Sequence, residues 1–306
     1  MTSSASPTTE PPVFELGTAL EIPPAAELEQ NQELPPAAEL EQSQELPFSI
    51  ANFKKAVTDR LRALDGGDDT QLWIFFSDFD YSKLKYIDRL RYPIRLQLDG
   101  SKLIVKMVGP VHELMHLSLM DRVREELGRM GLWSFVDWVS LGSTRFQHRS
   151  NNSFKEADSA LAPITSSEWP SLVIEAGWAE TLARLRIDAQ WWLSAQVPPN
   201  STTILVILVS FTKSQRTFRL ERYELAAVAG SVVTRSAPLG VRNLARCTAV
   251  TTIDIRSTPP IITGAPFILP FAGIMRRPPI PPEQDVSMSA VQLEAWAMTM
   301  ARLRNL

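Results

Sequence analysis

Ser171-Leu172-Val173-Ile174-Glu175-Ala176-Gly177 runs through three large aliphatic side chains and stops on an acid. A short aliphatic run without a 3.6-residue period predicts a strand covered on both faces rather than a helix. Seventeen positions before Glu175, Asp158 ends Lys155-Glu156-Ala157-Asp158 and leads into Ser159-Ala160-Leu161-Ala162-Pro163, a second strand-like segment beside a second acid. Neighbouring strands that each carry an acid at one end bring carboxylate oxygens together. Oxygen ligands with retained water are what a hard cation such as Mg²⁺ or Mn²⁺ requires. Asp158 and Glu175 are therefore the candidate metal ligands.

Working outward, residues 179–195 repeat apolar side chains at helical spacing, with Leu182, Leu185, Ala189 and Trp192 on one face, and stop before Pro198-Pro199. Thr203-Ile204-Leu205-Val206-Ile207-Leu208-Val209-Ser210-Phe211 is nearly all apolar and predicts a central strand; residues 217–225 alternate like a half-covered one. Upstream, Pro110 opens a helix expected over 110–130, closed by Gly131, with Leu114, Leu117, Met120, Val123 and Leu127 on its buried face. Strands are expected at 133–139 and 143–148. Asp99-Gly100, between Ile94-Arg95-Leu96-Gln97-Leu98 and Leu103-Ile104-Val105-Lys106-Met107, signals a β-hairpin. A helix over 53–64 stops at Asp65-Gly66-Gly67, and another closes the chain over 289–303. The order α-β-β-β-α-β behind a hairpin predicts an α/β domain with a mixed central sheet flanked by helices.

The 306 residues suffice for one or two domains with a full core. A single cysteine, Cys247, excludes an internal disulfide framework and points to an intracellular compartment, nuclear or cytoplasmic. No apolar run approaches the roughly 18 residues of a membrane span, and the N-terminus lacks a signal-peptide pattern, so no membrane attachment is expected. Residues 1–50 hold nine Glu and no Asp, Lys or Arg, while the rest carries all 31 Lys and Arg against 25 acids, a net of +6. A mildly basic body is compatible with a phosphate-bearing partner such as DNA or RNA. Within the acidic stretch, Glu21-Ile22-Pro23-Pro24-Ala25-Ala26 returns as Glu33-Leu34-Pro35-Pro36-Ala37-Ala38. One sign of charge and repeated Pro-Pro predict disorder with polyproline character. The expected division is a disordered acidic leader over 1–50, a helical and irregular lead-in over 51–93, and the α/β domain over 94–306.

Taken in order, these pieces resemble the fungal branch of the PD-(D/E)XK nuclease-like superfamily, a restriction-endonuclease-like fold. The likeness is carried by Leu103-Ile104-Val105-Lys106-Met107 ahead of a Pro-Val-His-Glu helix start, by Lys155-Glu156-Ala157-Asp158, and by Trp169-Pro170-Ser171 running on to Gly177. Asp188-Ala189-Gln190-Trp191-Trp192-Leu193 and the segment from Arg277-Pro278 to Asp285 add to it. The resemblance implies a metal-dependent hydrolase of phosphodiesters, with Asp158 and Glu175 binding Mg²⁺ (or Mn²⁺) and a nearby Lys placing the attacking water. Gly177 stands where that Lys of the E-x-K element would be, and Ala157 where a proline usually precedes the first acid. Lys155 and Arg186 are the candidate replacements, although Arg stays charged and accepts no proton. Glu113 is a candidate third acid. Because many members of the superfamily act as dimers, a homodimer is also an expectation. The alternative is a non-catalytic protein- or nucleic-acid-binding module on the same fold.

A further motif competes. His112-Glu113-Leu114-Met115-His116 satisfies H-E-x-x-H, which sets two imidazoles on one helical face as a zinc peptidase does. The extended form fails, since Leu119 and Arg122 occupy its Gly and third His positions, and His148 lies in a strand-like segment. Trp191-Trp192 places one ring toward the core and one toward the rim of the expected cleft, and Cys247 is expected as a small core residue.

Overall fold

The computed structural model describes residues 45–68, 71–148, 153–178, 182–194, 202–228 and 242–304. The repeats of the acidic leader lie outside the described residues. Its last part departs from the expected disorder over 1–50, because Glu45–Pro47 forms strand β1 and Ser49 caps helix α1 (Ile50–Asp65), its hydroxyl accepting from the Asn52 N–H at 3.0 Å. Strand pairing with β2 (Trp73–Ser77) satisfies the backbone of this segment.

The chain continues through α2 (Leu84–Asp88), the hairpin β3 (Ile94–Asp99) and β4 (Lys102–Met107), and helix α3 (Pro110–Arg129). Next come β5 (Trp138–Ser140), β6 (Arg145–Gln147), β7 (Phe154–Glu156), β8 (Ser159–Pro163), β9 (Leu172–Trp178), helix α4 (Leu182–Ser194) and strand β10 (Leu205–Thr212). The long strands β11 (Thr217–Val228) and β12 (Arg242–Asp254) are followed by β13 (Ile261–Thr263), β14 (Phe267–Leu269), α5 (Phe271–Met275), β15 (Val286–Met288) and the closing helix α6 (Ala290–Arg304).

The described strands form two large mixed sheets, ordered β1-β2-β4-β3-β7-β6 and β13-β12-β11-β10-β9-β8-β5, and a two-stranded one, β14-β15. In the second sheet β5 and β9 both run antiparallel to β8, while β9 and β10 are parallel. A parallel pair needs a long crossover, which α4 provides. In place of the expected α-β-β-β-α-β order the chain runs α3, β5, β6, β7, β8, β9, α4 and β10, five strands rather than three between the two helices, of which β5, β8 and β9 share a sheet with β10. The fold class is α/β, with mixed sheets flanked by helices.

Between β5 and β8 the chain leaves this sheet. β6 and β7 join the hairpin sheet, where β7 pairs with β3, and the chain crosses back through Ala157-Asp158. The strands expected over 133–139 and 143–148 are accordingly shorter, and Trp133, Phe135 and Val136 are exposed. Helix α3 buries Met120, Val123 and Leu127 as expected, but its inward face also takes in His112, Met115, His116 and Leu119, while Leu117 is exposed and Leu114 half-buried. Both imidazoles have hydrogen-bond partners inside, which allows burial that an apolar-pattern reading does not assign to them.

Alternation along β9 and β10 separates two cores. Leu172, Ile174, Ala176, Leu205, Ile207 and Val209 pack with β4 and α3 side chains. Val173, Val206 and Leu208 pack with Leu185, Ala189 and Trp192 of α4. Among the described residues no helix is long and apolar enough to cross a membrane.

Candidate functional site

The crossing between the sheets positions the first acid. Asp158 lies one residue before β8, with its side chain fully buried. Its Oδ2 accepts from Lys106 Nζ at 2.8 Å, from the Ala176 N–H at 2.8 Å and from His112 Nε2 at 3.0 Å. Lys106 comes from β4 in the opposite sheet; its Nζ also donates to the Ala176 carbonyl at 2.7 Å and lies 3.9 Å from Glu175 Oε2. Burial alone would raise the Asp158 carboxyl, but His112 and Lys106 hold it well below its ordinary value.

Glu175 lies in β9 beside α4. Its Oε1 accepts from the Trp192 indole N–H at 2.6 Å and lies 3.7 Å from Lys155 Nζ. Lys155 projects from β7, two residues before the crossing, and sits 3.0 Å from Asp188 Oδ2 of α4. Gln97 Oε1, on β3, accepts from Arg184 at 2.9 Å and Lys155 at 3.4 Å. Burial pushes the Glu175 carboxyl up to about 8; Lys155 and Lys106 oppose the rise, while the Asp158 and Asp188 carboxylates reinforce it. At neutral pH the pair is therefore split, Asp158 ionised and Glu175 protonated, because two environments treat two similar acids differently. Chemically, the group is a sealed set of acids neutralised by lysines that both arrive from the other sheet.

Of the residues expected at the site, Asp158, Glu175 and Lys155 come together. Arg186 does not join them: it turns toward β11 and pairs with Glu221 at 2.8 and 3.1 Å. Position along α4 explains this, since Arg186 is one residue past Leu185 and two before Asp188, about 100° off the face that meets Glu175. Glu113 heads a neighbouring group instead. Its Oε1 accepts from Arg95 Nη2 at 2.9 Å and faces His112 Nδ1 at 3.6 Å and His116 Nε2 at 3.4 Å. Arg95 links the groups, its Nε lying 3.9 Å from Asp158 Oδ1. His112, Glu113 and Arg95 also line a cavity of about 580 Å³ beside the start of α3, which Asp158 and Glu175 do not line.

Sequence reasoning missed Lys106, Asp188 and the role of the histidines. Lys106 is the sole charge in Leu103-Ile104-Val105-Lys106-Met107, and Asp188 falls on the apolar face between Leu185 and Trp192. A charge on an otherwise buried face is the signal that identifies each, because burial demands a partner. Of the expected rings, Trp192 is buried and Trp191 donates to Ser153 Oγ at 3.2 Å; Cys247 is only partly buried. No protein-family model matches this chain, and no curated protein matches it.

Proposed function

We propose that this protein is a catalytically degenerate relative of the restriction-endonuclease-like, PD-(D/E)XK phosphodiesterases. It retains their acid pair but seals it inside the domain, Asp158 paired with Lys106 and Glu175 kept protonated by burial. The observation that carries this reading is the Lys106 ammonium, 2.8 Å from Asp158 and 3.9 Å from Glu175, with all three side chains at most 3% exposed. The ancestry is supported by the strands β5, β8 and β9, which share one sheet with β10 and fall between α3 and α4 with β10 after them, one acid lying ahead of β8 and the other within β9. Metal-assisted hydrolysis requires a cation that lowers the pKa of bound water and offsets charge on the leaving oxygen. A buried ammonium held between the carboxylates coordinates no water and so cannot lower its pKa as a metal does. With the pair shut off from the cavity, the surface of the domain is left to act, as a module that binds protein or nucleic acid without cutting it.

A second reading, a working Mg²⁺- or Mn²⁺-dependent nuclease, is favoured by one observation. Lys155 Nζ lies 3.7 Å from Glu175, which supplies a basic group beside the second acid despite Gly177. Incubating the full chain with single- and double-stranded DNA and RNA and either cation, beside Asp158→Ala, separates the two. The degenerate domain gives no cleavage above that of the variant. Cleavage that Asp158→Ala abolishes would establish the nuclease instead.

A further inference from the structure

His112 and His116 lie one turn apart on α3, with side chains 2% and 1% exposed. Each has one ring nitrogen engaged: His112 Nε2 lies 3.0 Å from Asp158 Oδ2, and His116 Nδ1 lies 2.8 Å from Ser159 Oγ. The remaining nitrogens, His112 Nδ1 and His116 Nε2, are buried without a hydrogen-bond partner. Both face Glu113 Oε1, at 3.6 and 3.4 Å. Two imidazole nitrogens and a carboxylate oxygen thus converge on one buried spot with no hydrogen bond between them, the placing that ligand atoms take around a cation.

The spacing identifies the kind of cation. Ligands about 2.0–2.1 Å from a tetrahedral metal stand roughly 3.3–3.5 Å from one another. The observed 3.4 and 3.6 Å match, and the three ligand atoms all lie within 4.8 Å of one another. We propose that His112 Nδ1, His116 Nε2 and the Glu113 carboxylate bind a divalent transition metal, zinc by preference, with Asp158 and Ser159 orienting the imidazoles from behind. Two nitrogen donors select a borderline metal over Mg²⁺. An imidazole whose other nitrogen donates to a carboxylate is the usual outer arrangement of such a centre. Here Asp158 positions a ligand and is not itself one. Glu113 also serves as a ligand, oriented by Arg95, so it is not the free base of a peptidase motif. Three protein ligands leave a fourth position, and because His112 and Glu113 line the 580 Å³ cavity, that position opens to it for water or a small donor ligand.

The test uses the full chain, stripped with a chelator and titrated with Zn²⁺ by calorimetry and with Co²⁺ by visible absorption. One ion per chain is expected, with a rise in melting temperature for Zn²⁺ but not for Mg²⁺. His116→Ala should abolish stoichiometric uptake, and Ser159→Ala should weaken it by roughly 10-fold or more. Glu113→Gln, at the most exposed of the three ligands, keeps the fold and should also bind weakly. His148→Ala removes the chain's third histidine, outside the cluster, and should bind as the parent does. Absence of stoichiometric uptake by the parent, or undiminished uptake by folded Glu113→Gln, would overturn the site.

Discussion

Asp158, Lys106 and Glu175 differ in what each loses when its charge is removed. Asp158 is ionised and holds three donors, so Asp158→Asn leaves Lys106 buried without its anion. Lys106→Met leaves the same defect in reverse. Removing one partner of a buried pair costs about 3–5 kcal/mol, and both variants should lose stability on that scale in denaturant melts at pH 7. Glu175 is already protonated there. Glu175→Gln keeps an oxygen for the Trp192 N–H and should cost about 1 kcal/mol or less. Equal losses for Asp158→Asn and Glu175→Gln would show that the pair is not split.

At the scale of the element, one polar contact fastens α4 to β9 among the described residues of an otherwise apolar interface, Trp192 Nε1 to Glu175 Oε1 at 2.6 Å. Trp192→Phe preserves much of the ring packing and strips the donor. It should destabilise the protein by about 1–3 kcal/mol, since a buried acceptor loses its partner, with most of that loss absent when Glu175→Leu, which has no acceptor for the indole, is already in place. Additive losses in the double variant would contradict the contact. The elements themselves were legible to different degrees, for physical reasons. β10 and the β3–β4 hairpin follow from local pattern, as a continuous aliphatic run and an Asp-Gly turn. On α3 the burial of Met120, Val123 and Leu127 was legible but that of the histidines was not, because burial of His112 and His116 depends on Asp158 and Ser159, more than forty positions away in sequence. Nor was the departure of β6 and β7 to the other sheet, since three-residue strands take their place from their partners. At the site, the acid pair could be read from acids beside aliphatic runs, although only Asp158 lies at a strand end and β9 runs on past Glu175 to Trp178, whereas the placing of Lys106 between the acids could not be read, because its strand belongs to the opposite sheet.

For the whole molecule, the consequence is that two sheets meet across a buried electrostatic layer. The hairpin sheet contributes Lys106 from β4, Lys155 from β7 and Arg95 from β3, and the larger sheet and its helix contribute Asp158, Glu175 and Asp188. Such a layer costs desolvation and orients the sheets in return. It also links protons to folding. Glu175 is raised from an ordinary 4.5 to about 8. The folded state therefore keeps a proton that the unfolded chain releases, and this contribution to stability falls as pH climbs from 4.5 through about 8. Glu156, raised chiefly by burial, acts in the same direction. Glu221 is lowered by Arg186 and Arg219 against its burial, and supplies the opposite limb, lost as pH falls through its folded value.

The Glu175 titration itself is the direct test of an acid pair neutralised from within. A carbon-13 NMR titration of the side-chain carboxyl, assigned with Glu175→Gln and repeated in excess Mg²⁺, should show a midpoint near 8 that the cation does not move. A midpoint near the ordinary 4.5, or one that Mg²⁺ pulls downward, would mean that Glu175 is not sealed by burial and that the carboxylates stand open to water and a metal.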